Sequence, residues 1–197
     1  TLLHPFHGPG IGVLSISKSG DLSLSMASHL LGISATISIN VYNSNAWLPL
    51  HYKGTVIIPP LLPDMGKITL TPSGHLDCCE AMTREGNQGS VIPIERSSSR
   101  FLFAVSEDDR NWNSCLFAQQ TAARLRRHGK ENFEVPYMPH CPSGFHSALG
   151  KVMVFGGEVK AHHEAQLDLW RRVQEFFRKH LKDSKSVKNK FLFTMTA

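Results

Sequence analysis

Three stretches of this sequence predict an α/β fold with a partial parallel sheet and helices on its faces. Ile11-Gly12-Val13-Leu14-Ser15-Ile16 is a short continuous apolar run of the buried-strand type, and Asp21 to Leu31 carries Leu22, Met26 and Leu30 at helical spacing. Ala35-Thr36-Ile37-Ser38-Ile39 is β-branched and strand-like. Strand, helix, strand within the first forty residues is a βαβ unit, and the strands of such a unit pair in parallel.

The opening helix stops at Gly32, a residue suited to ending a helix. From Asn40 to about Arg100 periodicity is lost among Pro49, Pro59, Pro60, Pro63, Pro72 and Pro93, in a stretch too long for an ordinary loop. It is expected to run over the edge of the sheet as part of a pocket roof, with a short strand at Lys67 to Leu70 and a short helix at His75 to Met82. Arg100 to Val105 is the next buried strand and ends in Glu107-Asp108-Asp109. A helix from about Asn113 to Arg127 follows, with Gly129 beyond its end, and Phe133 to Val135 is a further strand. After a Pro-rich link, Ala161 to Leu181 forms a last helix whose Leu169, Val173, Phe176, Phe177 and Leu181 make one apolar face. Residues 1–185 therefore read as one domain. Residues 186–197 read as a disordered tail, the apolar end Phe191 to Ala197 having no evident partner.

At 197 residues and 41% hydrophobic content the chain can bury one ordinary core. No apolar stretch approaches the roughly 18 to 20 residues that cross a bilayer, so no membrane span is expected. The first residues, Thr1 to Phe6, carry no export or mitochondrial pattern, and a cytoplasmic location is expected. The chain starts without Met and runs almost at once into a strand, as if partway through a fold. Cys78, Cys79, Cys115 and Cys141 lack Cys-x-x-Cys spacing, which points to reduced thiols. Eleven histidines show no zinc-ligand spacing, so neither metal nor cofactor is expected. The net charge of +5 gathers at Arg124 to Lys130 and Lys179 to Lys190, at predicted helix ends where cations complement the dipole. Solvated helix ends account for these clusters, with the phosphates of an anionic ligand as the alternative. Nucleic acid is not expected, because no aromatic residues interleave the charge.

The chemistry centres on Ser15-Ile16-Ser17-Lys18-Ser19. A nucleophile on a sharp strand-to-helix turn needs small neighbours two residues before and after it, and Ser15 and Ser19 satisfy that about Ser17. An ordinary Ser-rich turn has the same local appearance. Asp108-Asp109 follows a later strand, where an acid orienting a histidine would stand, and Asp109 is preferred because it lies farther beyond the strand. The competing role is a cap for the helix after it.

The segment Ser15-Ile16-Ser17-Lys18-Ser19-Gly20-Asp21-Leu22-Ser23-Leu24-Ser25-Met26-Ala27-Ser28 resembles the elbow of type I acyl-CoA thioesterases and bile acid-CoA:amino acid N-acyltransferases. Leu50 to Gly54, Ile92 to Arg96, Phe101 to Val105 with Asp108-Asp109-Arg110-Asn111-Trp112, and Arg127 to Lys130 continue it in one register. Gly156 to Glu158, Ala161-His162 and Phe177 to Leu181 complete it, so that it covers about residues 8–185. The resemblance implies a truncated α/β-hydrolase fold and hydrolysis of fatty acyl-CoA, with Ser17 as nucleophile, Asp109 as triad acid and the Lys18 N–H in the oxyanion hole. Serine in place of the cysteine usual in the amino acid transferases favours hydrolysis.

The family pattern departs at one point. Where relatives carry a Tyr-Pro-x-x-Gly-His turn, Asn132-Phe133-Glu134-Val135 passes directly into Pro136-Tyr137-Met138-Pro139-His140-Cys141, and the triad base has no matching residue. His140 lies nearest downstream but outside the family slot, and His128 reads as a residue at a helix end. The alternative function is therefore acyl-CoA binding without turnover. Strands and an oxyanion loop expected upstream of β-strand Ile11 to Ile16 would leave one flank of the sheet open. An open flank invites self-association or pairing with an intact relative.

Overall fold

In the computed structural model, residues 10–82, 88–138, 159–181 and 192–193 are described. β1 (Ile11–Ile16) buries both its faces, as its largely apolar sequence requires. Val13 packs on one side of the sheet with Leu24, Ala27, Phe101 and Phe103. Leu14 packs on the other with Ile37, Leu102, Leu169 and Phe176. α1 (Ser19–His29) leads to β2 (Ile33–Ile39), which pairs in parallel with β1. β7 (Arg100–Ser106) lies parallel on the other side of β2. α2 (Ser114–Arg127) shares the face of α1, and α3 (Val159–His180) covers the opposite one with Leu169, Val173, Phe176 and Phe177. The parallel sheet and its flanking helices are those expected from the sequence.

Several details differ. Leu22 and Leu30, which announce α1 in the sequence, are exposed. The buried face of that helix is instead made of Gly20, Ser23, Leu24, Ala27 and Ser28. Small side chains let the helix press onto the sheet, where the Ser23 hydroxyl meets that of Ser15 at 2.6 Å. Between β2 and β7 the chain forms two small antiparallel hairpins, β3 (Leu50–Tyr52) with β4 (Thr55–Ile58) and β5 (Thr69–Leu70) with β6 (Leu76–Asp77). The helix expected at His75 to Met82 does not form. The Pro72-Ser73-Gly74 turn, with Gly74 at φ +82°, closes the second hairpin instead, and the Asp77 carboxylate takes the Cys79 N–H.

β8 (Phe133–Glu134) and β9 (Tyr137–Met138) both pair with β7 in parallel. Phe101 faces Phe133 and Val105 faces Tyr137, an identical offset, so 133–138 is one strand in one register where the sequence predicted an end at Val135. Pro136 is tolerated at this position because its carbonyl, which needs no N–H, accepts from Val105 N at 3.2 Å.

The sheet order is β10-β1-β2-β7-β8, β10 being Leu192–Phe193. These two residues stand in the expected disordered tail, yet Leu192 is in register with Val13 and Phe193 with Leu14. The flank of β1 is thus partnered along that short length. An apolar pair next to an unsatisfied parallel strand edge gains backbone hydrogen bonds there, a signal that two residues of sequence do not carry.

Candidate functional site

Ser17 stands at the carboxyl end of β1 with φ +54°, a left-handed conformation uncommon outside glycine. The turn is held on every side. Ser17 N donates to Ile39 O at 2.9 Å, Gly20 N donates to Ser17 O at 2.9 Å, and the Ser19 hydroxyl donates to Ile16 O at 2.7 Å. Ile16 N donates back to the Ser19 Oγ at 3.0 Å. Ser15, two residues before Ser17, is buried and bonded to Ser23 and to Ile37 O, so its hydroxyl is consumed beneath the turn. A Cβ on Gly20 would fall 2.2 Å from Val41 Cγ1. Gly20→Ala is therefore expected to destabilise the protein by about 1 to 3 kcal/mol through overpacking, as read by chemical denaturation, and an unchanged midpoint would contradict this account of the turn.

Lys18 follows Ser17 in helical conformation, and its backbone N–H opens α1, where donors and the helix dipole favour negative charge. Its ammonium turns along the helix to Asp21 at 2.5 Å, and the same Asp21 oxygen accepts Ala46 N at 3.1 Å. Asn40, at φ +48° just past β2, accepts Ser106 N at 2.7 Å and so joins the carboxyl ends of β2 and β7. Ligands of open parallel sheets collect at these strand ends.

Beyond β7, Asp108 is half-buried and Asp109 buried. Asp109 Oδ1 accepts the N–H groups of Asn111 at 3.0 Å and Trp112 at 3.3 Å, and Oδ2 accepts a short hydrogen bond from the Ser114 hydroxyl. The cap of α2 is Asn113, whose side chain accepts Leu116 N, rather than either aspartate. Ser17 and Asp109 are linked through one residue that the sequence did not single out for a role. Trp112 takes the Asp109 carboxylate with its backbone N–H, and its indole Nε1 donates to Ser17 Oγ at 3.1 Å.

Four of the described histidines are engaged elsewhere, and His29, at the far end of α1 from Ser17, has a buried Nε2 with no hydrogen-bond partner. His51 Nδ1 meets Pro49 O, His75 Nδ1 meets Ser73, and His128 Nδ1 meets Arg124 O at the end of α2, while His180 lies against Phe176. His140 lies outside the described residues. Among the described residues no cluster of His, Cys, Asp and Glu is placed to hold a metal ion. Nor is a second nucleophile offered by Cys79, whose Sγ donates to Asp109 O at 3.2 Å. Burial, reinforced by the Asp77 carboxylate, pushes its thiol up to about 12, far from the thiolate that reacts. Iodoacetamide at pH 8 is expected to leave Cys79 unmodified until the protein is unfolded, as read by peptide mass spectrometry, and rapid alkylation of the native protein would contradict this.

A cavity of about 290 Å³ lies elsewhere, between α1 and α2, lined by Leu24, Asn43, Ile92, Ile94, Thr121 and Arg127 among others, and neither Ser17 nor Asp109 borders it. Much of the basic cluster nearby is structural. Arg124 pairs with Glu95 at 2.5 and 2.9 Å, Lys130 donates to Ser97 O at 2.6 Å, and Arg126 sits over the Phe133 ring.

The family model described as BAAT / Acyl-CoA thioester hydrolase C terminal matches residues 2–183. Human acyl-coenzyme A thioesterase 6 is 43% identical over 95% of this chain and 48% of its own length. Human mitochondrial acyl-coenzyme A thioesterase 2 is 41% identical over 91% of this chain and 40% of its own. Mouse acyl-coenzyme A thioesterase 5 is 40% identical over 93% and 47%. The chain thus spans about half the length, or less, of these relatives. Among solved structures, acylaminoacyl peptidase from Pyrococcus horikoshii is similar with a TM-score of 0.55 at 16% identity, over 92% of this chain and 25% of that one. That likeness concerns the fold, which is of the α/β-hydrolase type.

Proposed function

This chain belongs to the BAAT / acyl-CoA thioester hydrolase C-terminal family, and on that premise we propose that it hydrolyses fatty acyl-CoA to free fatty acid and CoA through Ser17. The observation that carries this reading is the strained elbow: a serine at φ +54° on a fixed strand-to-helix turn, beside the first N–H groups of α1. Strain of this kind is kept where it serves chemistry.

In the proposed reaction the Ser17 Oγ attacks the thioester carbonyl carbon while its proton passes to a base. The Lys18 N–H stabilises the tetrahedral oxyanion. The C–S bond then breaks, the CoA sulfur takes the proton, and an acyl ester remains on Ser17. Water, deprotonated by the same base, attacks that ester, the bond from the acyl carbon to Ser17 Oγ breaks, Oγ takes the proton back from the base, and the fatty acid is released. Asp109 acts as the acid that orients the base and stabilises its cationic form. Among the described residues no histidine is hydrogen-bonded to Ser17 Oγ, so the reading takes its base from outside them.

A second reading, acyl-CoA binding without turnover, is favoured by a specific fact of the sequence: no Gly-His pair occurs between Phe133 and Cys141. Palmitoyl-CoA separates the two. Saturable thiol release by the purified protein supports hydrolysis, saturable calorimetric binding without release supports the binder, and neither binding nor release overturns both. The same binding experiment, followed by light scattering, reads whether the chain self-associates or pairs with an intact relative. A cytoplasmic location is in keeping with the free thiols of Cys78, Cys79 and Cys115. Among the described residues no helix is long and apolar enough to cross a membrane.

A further inference from the structure

We infer that Trp112 is a positioning residue for the Ser17 hydroxyl, an assignment that rests on the reading of Ser17 as the nucleophile. The indole N–H can only donate, so at 3.1 Å the Ser17 Oγ must be its acceptor. One lone pair of that oxygen is thereby fixed, and the hydroxyl hydrogen is turned away from the indole. A hydroxyl with one donor already in place points its own proton in a restricted set of directions, as transfer to a base requires. The same N–H stabilises negative charge that develops on Oγ as the proton leaves.

The indole is held rigidly enough to do this. Trp112 is buried, and its ring stacks on Tyr42 with centroids 6.1 Å apart. Tyr42 is itself fixed by the edge-on contact with Phe117 at 4.1 Å and by its hydroxyl, which donates to Met82 O at 2.6 Å. At the other end of the residue, the backbone N–H of Trp112 is bound to the Asp109 carboxylate. A shift of the acid loop is consequently transmitted to the nucleophile through a single side chain. This hydrogen bond to Ser17 Oγ spans 95 residues of sequence.

The test uses the full chain with ¹⁵N-labelled tryptophan. Trp112→Phe identifies the Trp112 indole signal among those of Trp47, Trp112 and Trp170. In Ser17→Ala that signal is expected to move while the other two stay. In a second measurement a fluorophosphonate probe labels Ser17, and Trp112→Phe is expected to react about tenfold more slowly, the effect of losing one hydrogen bond to the reacting oxygen. Trp170→Phe, on α3 across the sheet from the site, is expected to react at the unaltered rate, which separates loss of this hydrogen bond from a general effect of replacing a tryptophan. An indole signal unmoved by Ser17→Ala, or a Trp112→Phe variant that reacts as fast as the parent, overturns the inference. Should the parent chain itself not react with the probe, the nucleophile reading fails, and the indole signal alone decides whether Trp112 holds the hydroxyl.

Discussion

Replacing Ser17 with alanine is expected to lower thiol release from palmitoyl-CoA by about a thousandfold or more. The size of this effect follows from the way nucleophile, base and acid act as a unit, so that loss of the nucleophile alone removes nearly everything the three contribute. Binding at the strand ends and stabilisation by the Lys18 N–H would survive the substitution and set the remaining rate. The same non-additivity makes the ratio diagnostic of the base. If no base acts on Ser17, its hydroxyl is a weak nucleophile already and the alanine variant turns over as the parent does. Equal rates would therefore reject hydrolysis through Ser17 and leave acyl-CoA binding as the function. Circular dichroism should remain unchanged, since alanine keeps the small volume that the turn demands, although at φ +54° it gives up any hydrogen bonding that a serine makes.

Asp109→Ala is expected to be the most destabilising of the site substitutions, by about 3 to 5 kcal/mol. The carboxylate is buried and accepts from Asn111 N, Trp112 N and the Ser114 hydroxyl. Alanine strands all three donors in a place that water reaches poorly, and hydrogen bonds to a charged group are the stronger kind. Thermal unfolding should fall by roughly ten degrees, from the usual relation between stability and melting temperature in a chain of this size. Asp109→Asn retains a carbonyl acceptor for the two backbone N–H groups and should cost about 1 to 2 kcal/mol. It nevertheless removes the negative charge proposed to stabilise the cationic base, so its thiol release should fall much further than its stability. A pair of variants equal in both respects would mean that Asp109 serves the fold alone.

The elements that sequence reasoning found are those with a period long enough to read. β1, β2 and β7 are six or seven residues each, rich in apolar and β-branched side chains, and α3 carries Leu169, Val173, Phe176 and Phe177 on one face. The hairpins between β2 and β7 escaped because strands of two to four residues contain no period, and only the turn at Pro72-Ser73-Gly74 marks one of them. The facing of α1 was misleading for a physical reason: Leu22 and Leu30 advertise a helix but are exposed, while Leu24 packs inward beside the glycine, alanine and serines that permit a close approach. In the same way a proline at position 136 looked like the end of a strand that continues to Met138 through its carbonyl.

At the site, Ser17 was legible because the elbow is a local pattern, in which spacing and small residues determine the turn. Asp109 was legible from its place after a strand, and the structure adds that it is the buried one of the two neighbouring aspartates. Trp112 was not, since its hydrogen bond to Ser17 crosses the molecule and depends on the loop after β7 folding back over the end of β1. The only hint was its position three residues after the acid. The pairing of Leu192–Phe193 with β1 is of the same kind, a contact between distant segments that neither segment announces.

The central claim is that Ser17 takes the acyl group. Brief incubation with palmitoyl-CoA, quenching in acid and peptide mass spectrometry read it directly. A palmitoyl ester is expected on the peptide that contains Ser17, and none in Ser17→Ala. Thiol release without acylation of that peptide, or an acyl group carried by another residue, would contradict it.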